Sequence, residues 1–356
     1  MKTQLVKTGR MPERNVVVDI YKGIGIILMM MGHIGFGGFV DHTIHAFHMP
    51  MFFFVSGFLF KEIADRNLKG ILLRKTQSLL VPYFLFGLGH YLLWMVFPVF
   101  RQGEVNLNPL WHLLWENTTK LPIAGALWFL TALLWTNVIF LLLRKKIEND
   151  KELTIWIVLL VTAAHLCLKI LPFRLPWALD AGIIGMGFFL AGYLLQKKKE
   201  HKVISHLLHM PLWQLLPAGI VCLVLILVND DVNMRTGQYA CAELFWVNAL
   251  AASVLLFVLA GYLQKWEEKV KLLAVVNVLL KEIGAHAITY VCLNQIVLLV
   301  WQMLLSRFET EDNTLVKLVI RCTVLVLSVG TIEFAEKYLK ISKVTNIRIK
   351  GKELGR

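Results

Sequence analysis

Apolar positions in this chain of 356 residues gather into long runs instead of alternating with polar ones. Ten runs are read, at 16–39, 43–60, 76–98, 122–143, 153–171, 178–195, 210–228, 244–263, 284–305 and 316–336. About 18 or more apolar residues with few charges is what an α-helix needs to cross the hydrocarbon of a bilayer. Period-two alternation in segments of about ten residues, the mark of a membrane β-barrel, is absent. The pattern predicts an all-α polytopic membrane helical bundle of about ten transmembrane helices. It forms one domain over 1–356, with a short polar segment at 1–15 and a tail at 337–356. Between the eighth and ninth runs, 264–283 carries apolar residues at helical spacing among lysines, which predicts a helix lying on the membrane surface.

Composition and charge refine this picture. The chain is 57% hydrophobic and 17% charged, against roughly 45–50% and 25% in soluble domains, so an ordinary soluble enzyme is excluded. A net charge of +13 would suggest nucleic acid in a soluble protein; here a lipid bilayer explains it, because the basic residues fill short loops. Assigning the loops alternately to two sides puts 28 of the 37 lysines and arginines on one side and seven on the other. Lys22 and Arg321 fall inside runs. By the positive-inside rule both termini are expected in the cytoplasm. No small-residue cleavage site follows the first run, which is therefore expected to stay as an anchor. The five cysteines (Cys167, Cys222, Cys241, Cys292, Cys322) are scattered without a CxxC, so neither a disulfide framework nor a metal site is expected.

A charge at membrane depth costs upward of about 2.5 kcal/mol and needs a reason. The densest polar set lies in the first two runs. Asp19 and Lys22 are three apart and can pair. Lys22 and His33 are eleven apart, about three helical turns and ~16 Å of rise, which returns to nearly the same face. Gly37-Gly38 is expected to reverse the chain, bringing His48 back to the depth of His33. Pro50 follows, where it can open the backbone ladder, and then Ser56-Gly57 near the inner end. Imidazole suits proton abstraction from a hydroxyl that attacks an activated acyl group. Arg74 and Lys75, on the loop before the third run, are suited to holding phosphates of a cytoplasmic cofactor. His42, His45 and His112 read as interfacial histidines, His90 and His165 as packing residues. A transporter or flippase, or a sensor domain, would carry similar intramembrane charges. The chain lacks the two matching halves with broken helices that many transporters show.

These residues resemble acyltransferase family 3, the integral-membrane O-acyltransferases, in particular its fucose 4-O-acetylase-like branch. The resemblance covers about 14–340. It rests on D-x-x-K-x(10)-H at Asp19, Lys22 and His33, then F-H-M-P-M-F-F-F-V-S-G at Phe47–Gly57. It continues through R-K-x(5)-V-P-Y-F at Arg74–Phe84, L-W-F-L at Leu127–Leu130 and D-A-G-I-I-G-M-G-F-F-L-A-G-Y at Asp180–Tyr193. The resemblance implies transfer of an acyl group, usually acetyl from acetyl-CoA, to a hydroxyl of an extracytoplasmic carbohydrate or other cell-envelope acceptor. The protein would sit in the bacterial inner membrane, with no metal required. His33 would be the essential histidine, with Lys22 where relatives carry Arg, and Asp19 beside it. Lys keeps that charge without the bidentate fork. Arg74, Lys75, Arg14 and Ser56 would bind acyl-CoA. His48, Asp180, Glu243, Trp128 and Asn294 would meet the acceptor, Asn294 standing where relatives end a late-span segment with His.

Overall fold

The computed structural model describes residues 15–62, 68–100, 104–123, 125–308 and 313–342. Among these it is helical, without a named strand. Eight helices are long and apolar enough to cross a membrane. They contain α1 (Val16–Ile34), α4 (Leu68–Val96), α6 (Trp128–Lys146), α7 (Asp150–Ile170), α8 (Leu179–Lys197), α11 (Ala242–Trp266), α13 (Ala287–Leu305) and α14 (Thr314–Leu339). A ninth arises if α9 (Lys202–Leu208) and α10 (Leu212–Val228), bent by 85° at their junction, count as one span. The second expected run is built differently, as two short helices, α2 (Gly38–His45) and α3 (His48–Phe58). Short α5 (Asn108–Leu114) and α12 (Lys271–Ala285) complete the set.

Local chemistry explains the entry to α2. Gly35 and Gly37 adopt φ of 81° and 110°, open to glycine at little cost. The Asp41 carboxylate accepts from the Phe36 and Gly37 amides at 2.8 and 3.1 Å, closing the turn. The ladder then opens at Ala46–Phe47, not at Pro50. Pro50 falls in the first turn of α3, where its missing N–H leaves no bond unmade.

Every residue of α3 except Ser56 is buried, as expected of a helix that is apolar all round. It lies against α8 so closely that a Cβ at Gly57 would overlap the Phe189 carbonyl, and one at Gly192 the Phe54 carbonyl. Glycine permits this backbone approach. A second seam joins α1 to α12: a Cβ at Gly23 would overlap the Leu280 carbonyl, and one at Gly284 the Asp19 carbonyl. The helix expected on the membrane surface is thus docked lengthwise on α1, with Leu272 and Val275 on its other side left exposed.

Loops placed on one side by alternation meet in space. On the basic side, Arg144 binds Glu62 at 2.8 Å, and Lys197 binds Glu62 at 3.2 Å and Asp150 at 2.8 Å. On the opposite side, His42 meets Asp231 at 3.2 Å, and Arg174 donates to the Arg235 carbonyl at 2.8 Å. The α2–α3 pair therefore carries the chain from the opposite side back to the basic one, as a single long helix would.

Candidate active site

Asn15 caps α1 by accepting from the Val18 amide at 3.3 Å. One turn on, Lys22 Nζ meets the buried Asp19 Oδ1 at 2.9 Å. Lys22 borders a cavity of about 230 Å³ shared with Ser56 of α3, Phe129 and Leu130 of α6, and His286 and Thr289 around the start of α13. Ser56 Oγ donates to the Phe52 carbonyl at 2.8 Å. The cavity thus has a basic end, formed by Lys22, Gly284–His286 and Ser342, and an apolar upper part. His286, at the break between α12 and α13, has Nδ1 3.7 Å from Glu333 Oε2, and Tyr290 donates to Glu333 Oε1 at 2.8 Å. This imidazole–carboxylate pair was not foreseen, because it depends on α14 lying against α13.

His33 lies at the other end of α1, half-buried, outside the lining of that cavity. It faces the interior: the charges of His45 and Arg235 bear on its ring, and those of His33 and His45 on His48. His48 Nδ1 is 2.8 Å from the Ile44 carbonyl and His45 Nδ1 is 2.6 Å from the Asp41 carbonyl. Each Nδ1 therefore carries the proton and donates, which leaves each Nε2 as the base nitrogen. The two rings meet edge to face at 5.3 Å. His33 and His48 come together as expected. His45, expected at the interface, joins them at the end of α2, its Cε1 3.4 Å from where a Cβ on Gly32 of α1 would stand.

Arg235 is the larger surprise. It belongs to the loop 229–241, and its charge had counted only toward the loop total. The loop is pinned by the Asn233–Gln238 bridge and buried Val232, Met234 and Tyr239, and it folds back against the bundle. Arg235 Nε donates to the Thr118 carbonyl. Burial pulls its guanidinium below the ordinary arginine pKa, and no carboxylate within ion-pair distance among the described residues opposes this.

Two ends of α1 thus carry a cation-bordered cavity and a cluster of bases. Over residues 15–333 the chain matches the family model for the acyltransferase domain, acyltransferase family 3. The chain belongs to that family. It is accordingly a multi-pass membrane acyltransferase. No curated relative and no solved structure matches it.

Other residues expected in this acyltransferase's site are placed apart from these two clusters. Arg14 lies outside the described residues. Arg74 is exposed on α4, and Lys75 Nζ donates to Asn137 Oδ1 at 2.6 Å. Glu243 is exposed in the first turn of α11, with the Cys241 thiol 3.4 Å from Oε2. Trp128 is buried at the start of α6, its ring edge-on to Phe129 of the cavity wall. Asn294 is fully buried; its amide donates to the Tyr290 and Val291 carbonyls at 2.9 Å, and its Oδ1 has no partner. Asp180, also fully buried, takes the Arg174 fork at 2.5 and 2.9 Å and the Ala181 amide at 2.7 Å. A carboxylate so engaged anchors the turn into α8. Asp180→Ala strands a partly buried guanidinium, and a loss of about 1–3 kcal/mol is expected. Thermal unfolding followed by size-exclusion chromatography should show this.

Proposed function

We propose that this acyltransferase moves an acetyl group from acetyl-CoA, bound from the cytoplasmic side, to a hydroxyl of a carbohydrate or related envelope acceptor on the far side of a bacterial inner membrane. The observation that carries this reading is the layout of α1. At its basic end Lys22 borders the cavity, and about three turns away His33 sits with His45, His48 and Arg235. The bias of 28 to seven basic residues supports putting the cavity's lysine-rich end in the cytoplasm, where acyl-CoA is made. Lys22, with Arg74 and Lys75 on the same side, suits the phosphates of the donor, and the apolar upper cavity suits its pantetheine arm. The motif order shared with the fucose 4-O-acetylase-like branch supports a sugar acceptor.

In this mechanism His33 takes the proton of the acceptor hydroxyl as its oxygen attacks the thioester carbonyl. The tetrahedral intermediate collapses, the C–S bond breaks, and the imidazolium returns the proton to the departing thiolate. His48, packed against His45, fixes the floor on which the acceptor lies. The test is to supply radiolabelled acetyl-CoA to inverted membrane vesicles containing the protein and identify the labelled product. Label in a carbohydrate of the vesicle lumen is expected. Absence of any transferred label, with donor intact, would overturn the reading.

A further inference from the structure

A guanidinium brings five N–H donors, and partial burial, as at Arg235, limits the water that can satisfy them. Arg235 uses one, at Nε, on the Thr118 carbonyl; among the described residues its two terminal NH2 groups donate to nothing. The group is nonetheless firmly held. Arg174, itself locked to Asp180, grips the Arg235 carbonyl at 2.8 Å, and the Arg235 amide donates to Asn233 Oδ1 at 3.0 Å. Beside its terminal nitrogens lies the bare backbone of Gly125, where a methyl group would not fit. A Cβ there would come 3.4 Å from Arg235 Nη1 and 2.7 Å from Gln295 Oε1, a buried acceptor that also lacks a partner. Gln295 is one turn of α13 above Val291, which lines the upper cavity. The same guanidinium acts on His33. Unused donors, an unused acceptor and a base therefore lie together, one turn of α13 beyond the lining of the cavity.

We propose that Arg235 is a catalytic residue of this acyltransferase, its free NH2 groups receiving the oxyanion that forms on the thioester carbonyl when the acceptor attacks, with Gln295 taking a hydrogen bond from the acceptor. This rests on the acyl-transfer reading above. As the acceptor oxygen bonds to the carbonyl carbon, the π electrons move onto the carbonyl oxygen, which Arg235 then faces. On collapse they re-form the double bond as the C–S bond breaks, and the proton held by His33 goes to the thiolate. A fixed cation aimed where charge develops lowers the barrier without binding the ground state more tightly. A second acyl-CoA phosphate site would fit a guanidinium too, but Arg235 comes from the side opposite the basic loops, and a phosphate cannot donate to Gln295 Oε1.

The experiment compares wild type, Arg235→Gln, Arg235→Lys and His33→Ala in inverted vesicles given radiolabelled acetyl-CoA, with rates scaled to folded protein from size-exclusion chromatography. Arg235→Gln is expected to lower the saturating rate by about 10²–10³-fold while the KM for acetyl-CoA stays within about threefold. Arg235→Lys, which restores a charge without the fork, should recover at least tenfold of that loss. Should Arg235→Gln fail to fold, a normal rate in a folded Arg235→Lys carrying Gln295→Leu would overturn the proposal. A purely structural clasp on Thr118 would lower the amount of folded protein and leave the rate per molecule, which also overturns it. So would a raised KM for acetyl-CoA at unchanged saturating rate, the signature of a phosphate site. If wild type itself transfers no label, acyl transfer falls first. If His33→Ala is dead and Arg235→Gln is normal, this inference falls alone.

Discussion

Replacing His33 with Ala is expected to lower acyl transfer by about 10³-fold, within the range that a lost general base commands. Of the three clustered histidines, His45 and His48 are each tethered through Nδ1 to a backbone carbonyl four residues back. No such tether holds His33 among the described residues, so its ring keeps the freedom to turn toward a hydroxyl. The half-buried ring makes no hydrogen bond among the described residues that Ala would lose, and the variant should remain monodisperse. His48→Ala should cost less in rate and more in stability, because that ring is buried within the α2–α3 corner. Labelled product per folded molecule is the measurement. More than a tenth of wild-type turnover in His33→Ala would remove it from the mechanism.

The largest effect on folding is expected from a single methyl group, in Gly57→Ala. In an open helix position Ala is worth roughly 0.5–1 kcal/mol more than Gly. Gly261 is such a position, with nothing near its missing Cβ, so Gly261→Ala should be neutral or slightly stabilising. At Gly57 the same methyl would overlap the Phe189 carbonyl, and backbone cannot rotate away as a side chain can. Forcing α3 and α8 apart should cost about 3 kcal/mol or more, near the top of the overpacking range, and lower the midpoint of thermal unfolding by roughly 10 °C. Gly192→Ala should match it, since it meets the Phe54 carbonyl from the other helix. Equal midpoints for Gly57→Ala and Gly261→Ala would contradict the close approach.

Much of the architecture is legible in the chain because lipid imposes it. A backbone with no water to bond must close its own hydrogen bonds over about 20 apolar residues, and those lengths can be counted. The break inside 43–60 leaves no such trace, since Ala46-Phe47 is as apolar as its surroundings. The pairing of Asp19 with Lys22 follows from helical spacing alone. Asp180 shows the reverse case: its position near a helix start is visible, its capture by Arg174 across a turn is not. Arg235 lies furthest from view. Local pattern makes it a loop charge, and only the folding of 229–241 onto the bundle brings it to His33. A cue was present in the arginine itself, one of seven basic residues on a side that otherwise lacks them.

The glycine seam between α1 and α12 bears on how the enzyme must breathe. Two walls of the donor cavity, α1 and α3, are each backed by a neighbour at bare-backbone distance, through Gly23 with Gly284 and through Gly57 with Gly192. Those walls form a fixed jaw. α6 is held in the same way, a Cβ at Gly182 of α8 falling 2.7 Å from the Ala132 carbonyl, and the start of α13 forms the opposing jaw. On the proposed reading, a thioester donor would enter by displacing the start of α13 about His286, while the base on α1 would keep its aim.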